Sequence, residues 1–159
     1  MRNRRSGFTL IEMLMVVVIM GIVLSMASPK LTTAASQMAV HNARNEVSAM
    51  ISLTRALAVQ NGRRATFVQE GNSVRVELAR GYGSTTDTVA ARDLAEQHKV
   101  ALGSSAKLEV PFDPRGFAIR SSADESRIIS IQRDGFTDTV CVIGLGKIST
   151  DGNKCSTLQ

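Results

Sequence analysis

From Leu10 to Ala27 the chain carries only two clearly polar side chains, Glu12 and Ser25, while every later stretch mixes apolar and polar positions on a short period. At about 1.5 Å per residue such a run reaches across most of a hydrocarbon layer of about 30 Å, so it reads as a membrane helix. The helical period continues beyond it. Leu31, Ala34, Ala35, Met38, Val47, Met50, Ile51, Thr54, Leu57 and Ala58 recur at steps of three and four, predicting one helix from Phe8 to about Gln60. Its far half is amphipathic, with Lys30, His41, Arg44, Asn45 and Arg55 on other faces. Pro29 lies inside the pattern, with Gly21 before it, and is expected to kink the helix. Asn61-Gly62 can take the left-handed conformation that ends one.

After Gly62 the period becomes two. Ala65 and Phe67, then Val74, Val76 and Leu78, alternate with polar residues on either side of Glu70-Gly71-Asn72, which predicts a hairpin. A looser stretch follows from Arg80 to Ser105, with its middle, Val89 to Leu102, read as strand in preference to a short helix. Leu108, Val110 and Phe112 predict another strand, Asp113-Pro114-Arg115-Gly116 a type I turn, and Phe117 and Ile119 a resumed strand. Further strands are expected at 127–132, 138–143 and 147–150. A long helix followed by strands and turns predicts an α+β fold, the helix packed on an antiparallel β-sheet head.

Charge places the two ends. Arg2, Arg4 and Arg5 precede the apolar run with no acid among them, so the positive-inside tendency keeps the N-terminus cytoplasmic and sends the head across the membrane. Cys141 and Cys155 then lie in an oxidising compartment, where a disulfide is expected in place of two buried thiols. The formal charge of +5 owes much to those arginines; without them 16 Lys and Arg face 14 acids, a net +2 that does not itself call for nucleic acid. Aromatics make up 4% of the chain and Trp is absent, leaving no base-stacking platform.

Glu12 is the anomaly. A carboxylate within an apolar helix costs a few kcal/mol on insertion scales and needs a partner. No Lys, Arg or His lies within the run, so the partner is a free amine, created if the chain is cut between Gly7 and Phe8. The basic leader ending in Gly7, followed by Phe8-Thr9-Leu10-Ile11-Glu12 and the apolar helix, resembles the type IV prepilin N-terminus. The resemblance implies a leader at 1–7, cleavage after Gly7 and N-methylation of Phe8 by a prepilin peptidase. It also implies pairing of Glu12 with the Phe8 amine of a neighbouring subunit, assembly through an inner-membrane platform, and local melting near Gly21 and Pro29. The segments are then 8–29 (membrane and assembly), 30–62 (amphipathic helix) and 63–159 (head). An ordinary secretory signal cleaved near Ser25-Met26-Ala27 leaves both Glu12 and the Gly7-Phe8 junction unexplained.

The stretch 110–117 and the strand-rich C-terminal half resemble the GspH/FimT family, which comprises minor pilins of type IV pili and H-type minor pseudopilins of type II secretion. FimT-like proteins that bind DNA carry a Gly-Arg-x-Arg motif near the C-terminus; here Gly146-Lys147-Ile148-Ser149 stands in its place, with one basic residue where the motif has two. A minor pilin is the first expectation, an H-type pseudopilin or a DNA-capturing minor pilin the alternatives. The candidate DNA contacts are Arg63, Arg64, Lys147 and Lys154.

Catalytic chemistry is not expected. Gly144-Leu145-Gly146-Lys147 is too short for a P-loop, and no nucleophile elbow surrounds Ser104 or Ser105 to recruit Asp93 and His98. His41 and His98 lack ligand spacing with the cysteines, so neither metal nor cofactor is expected.

Overall fold

The computed structural model describes residues 8–81, 85–103, 107–119, 127–143, 146–152 and 155, with backbone alone at 26–29. The chain divides into two compact units, Met1–Ala35 and Ser36–Gln159, and helix α1 (Leu10–Asn61) contributes to both.

Within the second unit, Ser36, Val40, Ala43, Val47, Met50, Thr54 and Ala58 are all buried. Their steps of three and four put them on one stripe of α1, which is the face that carries the core. Thr54 is tolerated there because its hydroxyl donates to the Met50 carbonyl at 2.7 Å. Gly62, at φ +59, ends the helix. Its N–H donates to the Val59 carbonyl and that of Arg63 to Ala58, the paired bonds of a Schellman cap.

The strands are β1 (Ala65–Glu70), β2 (Ser73–Ala79), β3 (Thr86–Asp93), β4 (Ala101–Leu102), β5 (Leu108–Phe112), β6 (Ile128–Arg133), β7 (Phe136–Ile143) and β8 (Lys147–Ser149), with a short helix α2 (Leu94–His98). The α+β expectation holds, but the head has two antiparallel sheets, ordered β3-β2-β1-β5 and β4-β6-β7-β8. Phe67, Val74, Val76, Val110 and Phe112 of the first and Ile129, Ile131 and Val140 of the second join the same core as the α1 stripe. Strands rotate by about 20–25° from one to the next, so one eight-stranded sheet turns away from a straight helix; splitting it lets both halves keep an apolar face inward.

The predicted hairpin at Gly71 forms, and a second joins β6 to β7. Glu70 pairs with Ser73 around Gly71 at φ +58, and Arg133 with Phe136 around Asp134 and Gly135, both at positive φ as a two-residue hairpin turn demands.

Two local expectations are overturned. The Val89–Leu102 stretch is not one strand: β3 stops at Asp93, whose carboxylate accepts from the Ala95 and Glu96 N–H groups and starts α2, with Leu94 buried beneath. Phe117 and Ile119 do not resume a strand. The Asp113 carboxylate holds the Arg115 and Phe117 N–H groups in a tight turn, only the bridge Phe112↔Ala118 follows, and Ala118 is the buried residue while Phe117 is 42% exposed.

Candidate functional site

Fourteen large apolar side chains between Phe8 and Leu24 are exposed, none less than 42%. Burying each is worth about 1.5–3 kcal/mol, so water contact leaves on the order of 20 kcal/mol unrealised. That exceeds the roughly 5–15 kcal/mol net stability of an ordinary domain, which makes a lipid or protein environment a requirement for this segment. Among the described residues no single helix is long and apolar enough to cross a membrane; Leu10–Ser25 and Lys30–Asn61 meet that test only together. Sixteen residues rise about 24 Å, so a span needs chain beyond Ser25.

Thr9 starts this helix. Its hydroxyl and its carbonyl both accept from the Glu12 N–H, at 3.3 and 3.1 Å, so Glu12 occupies the first turn. A carboxylate there gains about 0.3–1 kcal/mol from the helix dipole. That is less than the few kcal/mol charged at the apolar centre of a membrane, so the dipole alone does not account for an acid in this run. Glu12 is exposed, and among the described residues no cation or hydrogen-bond donor meets its carboxylate. Phe8 lies just ahead of α1, also exposed. Gly7 lies outside the described residues. Gly21 continues the helix with open space where a side chain would begin, and the Pro29 side chain lies outside the described residues.

In the head, Cys141 of β7 and Cys155 form the expected disulfide, both sulfurs buried. The candidate DNA contacts are not brought together. Arg63 and Arg64 follow the α1 cap and line a cleft that also holds Glu77 and Glu109, whereas Lys147 begins β8 in a different groove beside Arg55. Lys154 lies outside the described residues. Two further arginines are neutralised locally: Arg75 meets Glu77 at 2.7 Å and Glu70 at 2.8 Å, and Arg80 meets Asp87 at 2.7 Å. The Arg75 hydrogen bond in turn holds the Glu77 carboxyl below its ordinary range.

The residues set aside as a hydrolytic group have structural partners. Asp93 caps α2, and His98 Nε2 lies 2.7 Å from Glu46 Oε2 on α1; Ser104 and Ser105 lie outside the described residues. His41 is held by Arg44 at 2.7 Å and by Asn45, with Arg44 also paired to Asp138 of β7.

Residues 2–28 match the prokaryotic N-terminal methylation motif. Two crystal structures of the Pseudomonas aeruginosa (strain PAO1) type IV minor pilin FimU share the fold. The P21 form aligns with a TM-score of 0.50 at 15% identity, over 79% of this chain and 92% of that one. The P65 form aligns with a TM-score of 0.51 at 17% identity, over 70% and 91%. The fold is type IV pilin-like. No curated protein matches its sequence. The methylation motif covers the exposed apolar segment with Phe8 and Glu12, while the head of this chain carries the disulfide and both clefts.

The pilin-like head also holds what the sequence does not advertise. Arg55 and Phe117, more than sixty positions apart, line one groove with Lys147. The only local hints are Gly116 and Gly146, where a Cβ would crowd Val59 and the Phe112 ring.

Proposed function

We propose that this chain is a minor pilin, cleaved after Gly7 and methylated at Phe8 by a prepilin peptidase, and assembled into a filament through the N-terminal half of α1. The observation that carries the reading is the exposed apolar helix whose one acid, Glu12, has no partner among the described residues. In a bundle of such helices an amine at Phe8 of the adjacent subunit supplies the missing cation. A misregistered subunit leaves the carboxylate unpaired in an apolar core, so one charge pair fixes axial register. Before assembly the subunit sits in the inner membrane with its N-terminus cytoplasmic and its head periplasmic, in contact with the assembly platform.

Glu12→Ala tests this directly. The variant stays membrane-inserted and begins at Phe8 by N-terminal mass spectrometry, yet is lost from sheared filaments; normal incorporation sinks the register argument, and a mature start at Ser28 sinks the prepilin reading itself.

Of the two machines, a type IV pilus is favoured over type II secretion by the likeness to FimU, a type IV minor pilin. Deletion then lowers piliation and leaves exoprotein secretion intact, and the reverse outcome assigns the chain to secretion. DNA capture is the less supported reading, because Arg63 and Arg64 share their cleft with two acids and lie apart from Lys147.

A further inference from the structure

An open groove of about 800 Å³ runs along α1 from Ile51 to Gln60, between the turn that ends at Phe117 and the start of β8. Its lining is largely apolar, from Val59, Phe112, Phe117 and Ile148. Among the described residues, five large apolar side chains of the second unit are markedly exposed, and two of them, Val59 and Phe117, line this groove. Two cations, Arg55 and Lys147, stand in it, both exposed. Among the described residues neither meets a carboxylate, while Arg44, Arg75, Arg80, Arg92 and Lys107 each do.

The walls are built by close approach. At Gly116 (φ +84) a Cβ would stand 3.0 Å from Val59 Cγ2 and 3.2 Å from Arg55 Nε; at Gly146 (φ +109) it would stand 2.9 Å from the Phe112 ring. Gly116 therefore lets the turn close on the helix, and Gly146 lets the start of β8 close on Phe112 and Ala118. β8 is also an edge strand, paired with β7 alone among the described strands. The groove thus combines an apolar trough, two uncompensated positive charges and a strand edge.

We propose that this groove binds an extended, acidic peptide segment of a partner protein. An aromatic or branched side chain of the segment packs against Phe117 and Val59, its carboxylates reach Arg55 and Lys147, and its backbone runs along the β8 edge. Nucleic acid fits less well, since two cations beside an apolar trough do not follow a phosphate backbone. A lipid tail calls for an enclosed pocket, and this one is open along its length.

The test uses the full-length protein in phosphatidylcholine nanodiscs and two peptides labelled at the N-terminus with fluorescein, Gly-Gly-Glu-Phe-Val-Glu-Phe-amide and its counterpart with Lys in place of Glu. Anisotropy should show saturable binding of the acidic peptide alone. Arg55→Glu with Lys147→Glu should weaken that binding by at least about tenfold and confer binding of the Lys peptide. Phe117→Ala should weaken binding of the acidic peptide without reversing the preference. Both charged side chains are exposed, so the double variant keeps its melting temperature; Arg55→Gln with Lys147→Gln serves as a milder pair if it does not. No saturable binding, equal binding of both peptides, or binding indifferent to the charge reversal overturns the proposal. So does a groove whose charge reversal abolishes binding to phosphatidylglycerol vesicles or to duplex DNA and leaves the acidic peptide unaffected.

Discussion

Cutting the Cys141–Cys155 bridge tests how the end of the head is held. The two cysteines are 14 positions apart and enclose the whole of β8. Closing a loop of about 15 residues removes enough freedom from the unfolded chain to stabilise the fold by about 3 kcal/mol. Against a total of about 5–15 kcal/mol, that is a large fraction. Replacing both by alanine avoids leaving a buried hydroxyl without a partner, and for a unit of this size 3 kcal/mol corresponds to about 10 °C in melting temperature. The assay is thermal unfolding of the full-length protein in nanodiscs, with and without reductant: reduced wild type and the oxidised Cys141→Ala/Cys155→Ala variant should coincide, both below oxidised wild type. The loss should be uneven. β8 has only three paired positions, Cys141↔Ser149, Val142↔Ile148 and Ile143↔Lys147, so its amides should lose hydrogen-exchange protection before those of β1. A shift under about 1 kcal/mol, or equal loss of protection in β1 and β8, would refute the account of the bridge as the clasp of this edge.

Other perturbations discriminate between local causes. Gly146→Ala should cost about 2–4 kcal/mol, since φ +109 strains any side chain and the new Cβ meets the Phe112 ring at 2.9 Å and the Ala118 nitrogen at 3.3 Å. Gly62→Ala, at φ +59 with nothing within 4 Å, should cost only about 1 kcal/mol, both values being read by urea titration. Asp134 is held below the ordinary carboxyl range, first by the Ser36 hydroxyl that donates to it at 2.7 Å and then by Arg133. A lowered folded value means its contribution is complete above the unfolded value near pH 4 and disappears as pH falls through the folded one. Asp134→Asn should therefore be less stable than wild type at pH 7, with the gap closing below about pH 4; a gap independent of pH removes the charge from the explanation.

What the sequence makes legible follows the range of the interactions. The long helix is visible because its buried stripe, Val47, Met50, Ile51, Thr54 and Ala58, repeats locally, and its end because Asn61-Gly62 is a local cap. The hairpin turns at Gly71 and Asp134-Gly135 are equally local. α2 is hidden because five residues are too few for a period, although Asp93 and Glu96 stand at capping spacing. Phe117 misleads because alternation assigns it inward, whereas the Asp113 turn shifts the phase by one and buries Ala118. The division into two sheets leaves no local trace. Strands β5 and β6 do not pair, and that is set by how both sheets pack on α1.

The charges of this chain separate what it settles alone from what it leaves open. In the head an acid and a base are repeatedly brought together: Arg44 with Asp138 and Glu46 with His98 join elements that the core already holds, and Arg75 with Glu77 lies along β2 itself. Each such pair adds little by itself, about 0–1 kcal/mol for exposed partners, but it leaves no charge seeking a partner elsewhere. Glu12, Arg55 and Lys147, like Arg63, Arg64, Lys99 and Arg115, meet no opposite charge among the described residues, but Glu12, Arg55 and Lys147 stand against exposed apolar surface. An unpaired charge in water costs nothing. Beside an apolar surface that must be covered it becomes costly once the cover arrives, unless the cover brings the opposite charge. On both proposals the same physics selects the partner: at Glu12 a helix carrying an amine level with the carboxylate, and at the groove a segment carrying acids beside its apolar side chain. A neutral apolar partner satisfies neither place, so specificity at both arises from the cost of leaving a charge covered and unpaired.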